Sequence, residues 1–432
     1  MPSHNSNTPD KEPTGEINTR LWNRNFALLF QGQFVSLLGS QAFIIAIMFW
    51  IKGSTESAST FGFIMMLANI PAVIMSPIGG AIVDRYDRKT IVVMIDIVNG
   101  IAVMSLAGVL FFFPQYQLFS LIYITFIATL LGITGAIFRP AILACVPDLV
   151  PKDKLDSANS LSQAGVQFAA MIGNGVGSVL YRLVGAPLLL FLDSLTYLFS
   201  AISEMFINFP DNKKEVKKHS SLKELIQTFK ADIKESFQYM SNTPGMLEFL
   251  YMAATINFFV IPCTILLPFY IEDYLKLTTD WYGYITIVFG LGAMIGFIVA
   301  GTMNINKKSG MLFSLLVTSL MIALMGLTNN AYFSLFIMLT IGTLNGYMGV
   351  MIMGIIQTKT ISSMRGRIFG LMGIVTGGLT PIGMGLSGVV FDLVDQSIPT
   401  IYIGTGVILL CISMVIYFNK NFHAIMEETP SN

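Results

Sequence analysis

Five charged side chains, Asp84, Arg85, Asp87, Arg88 and Lys89, fall within six residues, directly after Gly79 and Gly80 and between two long apolar segments. Charge at mid-bilayer costs several kcal/mol, so in an apolar chain this cluster belongs at a water interface. Its chemistry there is electrostatic. A carboxylate such as Asp84 can receive the positive N-terminal dipole of a neighbouring helix, and the glycines let a second helix approach closely. Two charges lie deeper. Asp96 and Arg139 each sit about 10 Å inside the same interface at 1.5 Å of rise per residue. Each is costly alone, so the spacing predicts an Asp96–Arg139 ion pair linked to Arg85 and Arg88. That pair is either a fixed brace or one that opens and closes. Asp193 lies about seven residues from the outer end of its segment and is within reach of Arg182, while Glu204 and Glu248 are shallow. Asp96, Glu204 and Asp193 are the candidates for carrying a proton.

The elements that must hold these residues follow from composition. The chain has 432 residues, 54% hydrophobic and 12% charged, against about 25% charged in a soluble domain. Windows of about 20 apolar residues occur at 26–51, 60–83, 90–113, 117–145, 157–184, 186–209, 245–270, 281–303, 310–328, 331–356, 366–394 and 398–419. They are too long for strands and show no alternation of period two, so the expectation is an all-α membrane protein with twelve transmembrane helices. With the N-terminus inside, only Lys52, Arg182 and Lys276 fall in outer loops, and the other loop and tail lysines and arginines lie inside. That asymmetry puts both termini in the cytoplasm. Residues 1–25 read as a polar tail without the features of a signal peptide, and 421–432 as a second tail.

The polar stretch 210–244 divides the chain into halves, 26–209 and 245–420. Within it Leu222, Leu225, Ile226, Phe229, Ile233 and Phe237 recur at helical spacing among lysines, and Ser221 with Glu224 forms a capping box. The expectation is an amphipathic helix tethering two half-bundles on the inner leaflet, basic face toward headgroups. The halves repeat: 172–184 aligns without gaps on 382–394, with Ile, Gly, Gly, Val, Leu and Val identical. Cys145, Cys263 and Cys411 make no metal spacing or disulfide framework. No phosphate-binding loop is present, so ATP does not drive the protein directly. No nucleic-acid partner is indicated, and nothing demands an oligomer.

The pattern G-x-x-x-D-R-x-x-R-K at Gly80, Asp84, Arg85, Arg88 and Lys89 resembles the loop signature of the major facilitator superfamily of secondary transporters. Asp87 stands where that family commonly has glycine, and the loop from Gly301 to Lys308 keeps the glycine and basic pair but lacks the aspartate. Phe138-Arg139-Pro140-Ala141, the run Val146-Pro147-x-Leu149-Val150-Pro151, and Gly366-Arg367-Ile368-Phe369 are similar to the macrolide-efflux and siderophore-exporter branch. Ala169, Gly173, Asn174, Gly177 and Ser178 partly match the antiporter motif of the fifth span.

This resemblance implies two six-helix halves and a latch between spans 2 and 11 at the cytoplasmic face. It also implies a central cavity built on spans 1, 4, 7 and 10. Its candidate polar lining is Gln33, Asn69, Gln163, Gln167, Asn257 and Asn345, with Gln31 and Gln41 nearby. Among many Met and Phe residues, such scattered amides suit bulky amphiphiles. The implied protein is not an enzyme and holds no cofactor or metal. It is a proton-driven exporter of lipophilic drugs such as macrolides in a bacterial plasma membrane. An exporter of an endogenous amphiphile, an importer of a small nutrient and a scaffold on a transporter fold are the alternatives.

Overall fold

The computed structural model describes residues 21–55, 57–83, 85–208, 222–303, 306–419 and 422. The capping box at Ser221, most of the two tails and Asp84 itself lie outside the described residues. The helices are α1 (Arg24–Thr55), α2 (Ala58–Val83), α3 (Arg88–Phe112), α4 (Gln117–Leu149), α5 (Leu155–Met205), α6 (Leu222–Asn242), α7 (Met246–Ile265), the short α8 (Leu267–Phe269), α9 (Asp280–Thr302), α10 (Lys307–Leu327), α11 (Ala331–Lys359), α12 (Ser362–Gly378), α13 (Thr380–Leu393) and α14 (Ile398–Phe418). Among the described residues, 11 helical stretches are long and apolar enough to cross a membrane. One of them contains two predicted spans, which makes twelve crossings. Its helix α5 runs for 51 residues and turns at Gly185, where φ is 76° and ψ 174°. Only glycine adopts that backbone cheaply, so the fifth and sixth spans meet at one residue with no loop between them.

Several helix starts are set by side-chain caps. Asp87 accepts from the backbone N–H of Thr90 at 2.8 Å and caps α3, and Asn306 accepts from Ser309 N–H at 3.2 Å and caps α10. The departure from the usual glycine at Asp87 is therefore a helix cap, and the second half places its own cap at the corresponding point.

The two halves are pseudo-symmetric bundles. In the first, α1 and α3 pack on α5 and α2 packs on α4; in the second, α9 packs on α11 and α10 on α14. The halves meet along two seams, α2 against α13 and α5 against α9. The sequence repeat has a structural meaning at these seams. A Cβ on Gly173 would meet Gln41 of α1, and one on Gly383 would meet Ile261 of α7. A Cβ on Gly175 would collide with Ile287, and one on Gly385 with Met66, each in the opposite half. The paired glycines thus serve the same contacts in both halves.

The amphipathic helix forms as α6 and is tied to the second half. Arg367 at the start of α12 makes ion pairs with Asp232, at 3.2 Å, and with Glu235. Met240 is buried in a core with Phe249, Ile355 and Ile368. The acidic face of α6 is docked on the second half, so α6 moves with that half. An Arg367→Ala change is expected to free it, read as a several-fold rise in proteolysis between 222 and 242 with the membrane core intact.

Candidate functional site: a sealed gate and a buried acidic cluster

The two faces of the bundle differ. Call the face carrying α6 and the 85–87 turn the basic face, and the opposite one the far face. On the far face the halves are tied together. Lys52 at the end of α1 reaches Glu272 at 2.8 Å and Asp273 at 2.9 Å. Asp392 at the end of α13 accepts from the backbone N–H of Ser59 at 2.8 Å and from its hydroxyl, and so caps the first turn of α2 across the seam. Arg182 lies 3.7 Å from Asp280 in the first turn of α9. Beneath these ties Phe61, Phe269 and Phe391 stack edge-to-face at 5.6 and 5.4 Å. At the other seam Phe49 packs on Tyr181 and Tyr282, each at 5.6 Å. Edge-to-face pairs add roughly 0.5–1.5 kcal/mol each beyond their burial. The closest approaches between the halves also lie here: a Cβ on Gly388 would collide with the carbonyl of Ala58, and one on Gly283 with Ser178. A Gly388→Val substitution is therefore expected to pry this seam open, seen as at least a several-fold faster reaction of a cysteine placed beneath the aromatic plug.

On the basic face several described glycines have more room. Gly80, Gly366, Gly370 and Gly373 have nothing within 4 Å of a built Cβ. Gly79, next to the signature glycine Gly80, makes a close approach, against Ala136 of α4 in its own half. Arg88 pairs with Asp148 and donates to the carbonyl of Ala144 at 2.7 Å. Lys89 donates to the carbonyl of Ile207 at 2.8 Å. These two cations brace α3 onto α4 and α5 inside the first half. Arg85 is exposed in the turn. Truncating Arg88 leaves Asp148 without its cation, so Arg88→Ala should cost about 1–3 kcal/mol of stability, measurable as a lowered melting temperature in detergent.

The predicted Asp96–Arg139 pair is absent. Asp96 is 1% exposed, whereas Arg139 is exposed on α4, and no ion pair joins them. The two helices turn these residues to different faces. The α4-facing side of α3 is held by Asn99, which accepts from Thr134 at 2.8 Å, while Asp96 turns toward α5. The predicted Asp193–Arg182 pair is also absent, because Arg182 belongs to Asp280 on the far face.

What the structure brings together instead is a row of carboxyl groups, Asp96 beside Glu204 and Asp193 about 16 Å of helix from Glu204. Asp96, Asp193 and Glu204 are each 1% exposed. Asp96 faces Ser200 and Glu204, and Ser200 Oγ lies 3.5 Å from Glu204 Oε1. Asp193 stands on the same limb of α5, with Thr196 Oγ1 donating to its Oδ1 at 3.3 Å. Both oxygens of Asp96, Oδ2 of Asp193 and Oε2 of Glu204 lack a well-formed hydrogen bond. No described lysine or arginine makes an ion pair with any of the three. Gly39 admits the second limb of α5 here, since a Cβ would collide with Asp193 Oδ1 and Thr196 Oγ1. A buried carboxylate without a cation and with few donors is costly as an anion, which favours the protonated form of these groups.

The predicted cavity residues divide. Gln163, Gln167, Asn257 and Asn345 are exposed on α5, α7 and α11. Asn69 is partly buried, donating to the carbonyl of Met65 at 2.8 Å and lying 3.7 Å from Met384 Sδ of the other half. Gln33 faces the α1–α5 seam, its Nε2 buried without an acceptor. Gln31 donates to Ser203 at 3.1 Å.

A profile of the Major Facilitator Superfamily matches residues 29–384. The chain belongs to that superfamily. This transporter is 25% identical over 401 residues to macrolide efflux protein A of Streptococcus pyogenes, covering 91% of the chain and 95% of that protein. It is 22% identical over 413 residues to the staphyloferrin A transporter of Staphylococcus aureus, covering 93% and 96%. Among solved structures it is similar to a POT family transporter in complex with 5-aminolevulinic acid, with a TM-score of 0.70 at 12% identity over 94% of the chain and 97% of the other. A bacterial homologue of ferroportin in an inward-facing state gives a TM-score of 0.69 at 15% identity, covering 92% and 99%. These likenesses fix the fold of a multi-pass secondary transporter.

The far-face gate of this transporter went unread in the sequence. In the sequence Lys52 reads only as a rare outer cation, and Arg182 as a partner for Asp193. The acids that flank the same loops, Glu272, Asp273, Asp280 and Asp392, were the signal: sparse outer cations matched by sparse outer anions at helix ends. Asp148 lay at the unread position of the Val146-Pro147-x-Leu149 run.

Proposed function

We propose that the protein is a proton-coupled exporter of lipophilic amphiphiles, macrolides foremost, working by alternating access in a bacterial plasma membrane with both termini cytoplasmic. The basic face is then the cytoplasmic face, and the described state is sealed outside. The observation that carries the coupling is the cation-free row of Asp96, Asp193 and Glu204: groups that bind protons and have no fixed partner to neutralise them. The sparse amides Asn69, Gln163, Gln167, Asn257 and Asn345 orient an amphiphile in a largely apolar cavity, and the relatives named for macrolide efflux support that substrate class. In the outward-open state Asp84 would cap the N-terminus of α12, with Gly80 giving room and Arg85, Arg88 and Lys89 around it. The relative named as a staphyloferrin A transporter favours a second reading, export of an endogenous amphiphile such as a siderophore by the same machinery.

The deciding measurement uses the full chain in proteoliposomes under an imposed pH gradient. Erythromycin should move against its gradient and release internal protons. Transport that ignores a protonophore would overturn the coupling. Proton release driven by a carboxylate-rich chelate and not by any macrolide would replace the first substrate reading with the second.

A further inference from the structure

The seam between α7 and α14 is open where its counterpart in the first half is closed. In the first half, α1 lies tightly on the second limb of α5: Gly32 meets Ser200, Ser40 shares a hydrogen bond with Tyr197 at 2.9 Å, and Gln31 bonds Ser203. At the α7–α14 seam the hydrogen bond from Tyr402 to the carbonyl of Cys263, 2.8 Å, ties only the far-face end. Below it runs a groove of about 500 Å³ whose walls include Glu248, Tyr251, Phe259, Cys411, Val415 and Asn419.

The groove opens away from the central cavity. Tyr251 is 53% and Val415 67% exposed, and Asn257 sits two residues, about 200° of helix, from the groove-lining Thr255. Its dimensions and polarity point to one occupant. From Glu248 to Phe259 it spans about 17 Å at 1.5 Å per residue, close to the roughly 15 Å of hydrocarbon in one leaflet. The carboxylate and amide, Glu248 and Asn419, sit at the basic-face end, at the level of headgroups, and the walls above them are mostly apolar.

We propose that this groove is a lipid site that holds one acyl chain of an inner-leaflet aminophospholipid, with the head's ammonium group beside Glu248. The inner-leaflet assignment rests on the orientation proposed above; the occupant does not depend on any transport activity. The site sits on the outer flank of α7, whose opposite flank carries Asn257, so a bound chain stiffens the helix that faces the substrate.

The test reads lipid and no transport. The full-length protein is reconstituted with equal phosphatidylethanolamine and phosphatidylglycerol, extracted, and examined by native mass spectrometry. One phosphatidylethanolamine should survive delipidation, and Thr255→Trp and Cys411→Trp should each lower its retention at least tenfold. Glu248→Gln should abolish the preference over phosphatidylglycerol. A second measurement needs no substitution. Cys411 is exposed while Cys145 is buried and Cys263 only partly open, so maleimide labelling of delipidated protein should slow about tenfold when phosphatidylethanolamine is added back. Equal retention of both lipids by the unsubstituted protein overturns the ammonium assignment. Retention unchanged in both tryptophan variants, or Cys411 labelling unaffected by lipid, overturns the site.

Discussion

Asp392→Ala will open the far face. Asp392 Oδ2 accepts three hydrogen bonds around the start of α2, from Ser59 N–H, Ser59 Oγ and, at 3.4 Å, Ser57 Oγ, while Oδ1 accepts from Gln396 at 3.0 Å. The first N–H groups of a helix have no intrahelical acceptor, and a carboxylate there gains from the helix dipole as well. Losing a cap costs about 0.5–2 kcal/mol. Because these bonds cross between halves, the cost falls on the sealed state alone, and only such a differential interaction shifts a conformational equilibrium. A change of one to two kcal/mol moves that equilibrium roughly 5- to 30-fold. The readout is the rate at which a membrane-impermeant maleimide, added from the far face, modifies a cysteine at position 69 in a background lacking the native cysteines. The expected rise is in that range, and adding Lys52→Met should raise it further. An unchanged rate in folded protein would mean that the Phe61–Phe269–Phe391 plug holds the seam without the polar ties.

Asp96→Asn and Glu204→Gln are expected to uncouple the transporter without unfolding it. Each replaces a buried carboxyl group lacking a cation by a neutral isostere, which removes the cost of burying charge. The melting temperature should hold or rise by a few degrees. Uphill macrolide efflux should fall at least tenfold, while downhill exchange of labelled drug continues and loses its dependence on internal pH. The double variant should be no worse than the worse single one, since the two groups act as one unit. If these carboxyl groups only hold the helices together, the pattern reverses: a lower melting temperature with the pH response retained among surviving molecules. That outcome would remove them from the coupling mechanism.

Much of the fold was legible because membrane helices are written in long apolar windows and few charges. The windows 157–184 and 186–209 left out one residue, Gly185, and the structure turns there. The repeat of 172–184 on 382–394 marked the glycines that serve both seams. Depth along a helix was also readable, since rise per residue is fixed. Facing was not. Asp96 and Arg139 share a level, yet burying α3 against α5 turned Asp96 away from α4. A uniformly apolar helix gives no periodic stripe from which to read its rotation, so contacts between charges could be proposed by depth only. The gate on the far face escaped for a different reason. One of its ties joins the Asp392 carboxylate to the backbone N–H of Ser59 on another helix, a partner type that sequence does not display, and the ion pairs join charges far apart in the chain.

The turn at Gly185 has a mechanical consequence. One limb of α5 carries Gly175 and Arg182 at the far-face seam, and the other carries Asp193 and Glu204. With no slack between them, the limbs act as the two arms of a bell crank whose pivot is a single residue. A swing of the gate arm is therefore expected to reach the arm that bears the carboxyl groups, and the reverse equally. Lengthening the pivot by a few flexible residues would leave both arms in place but sever the drive between them.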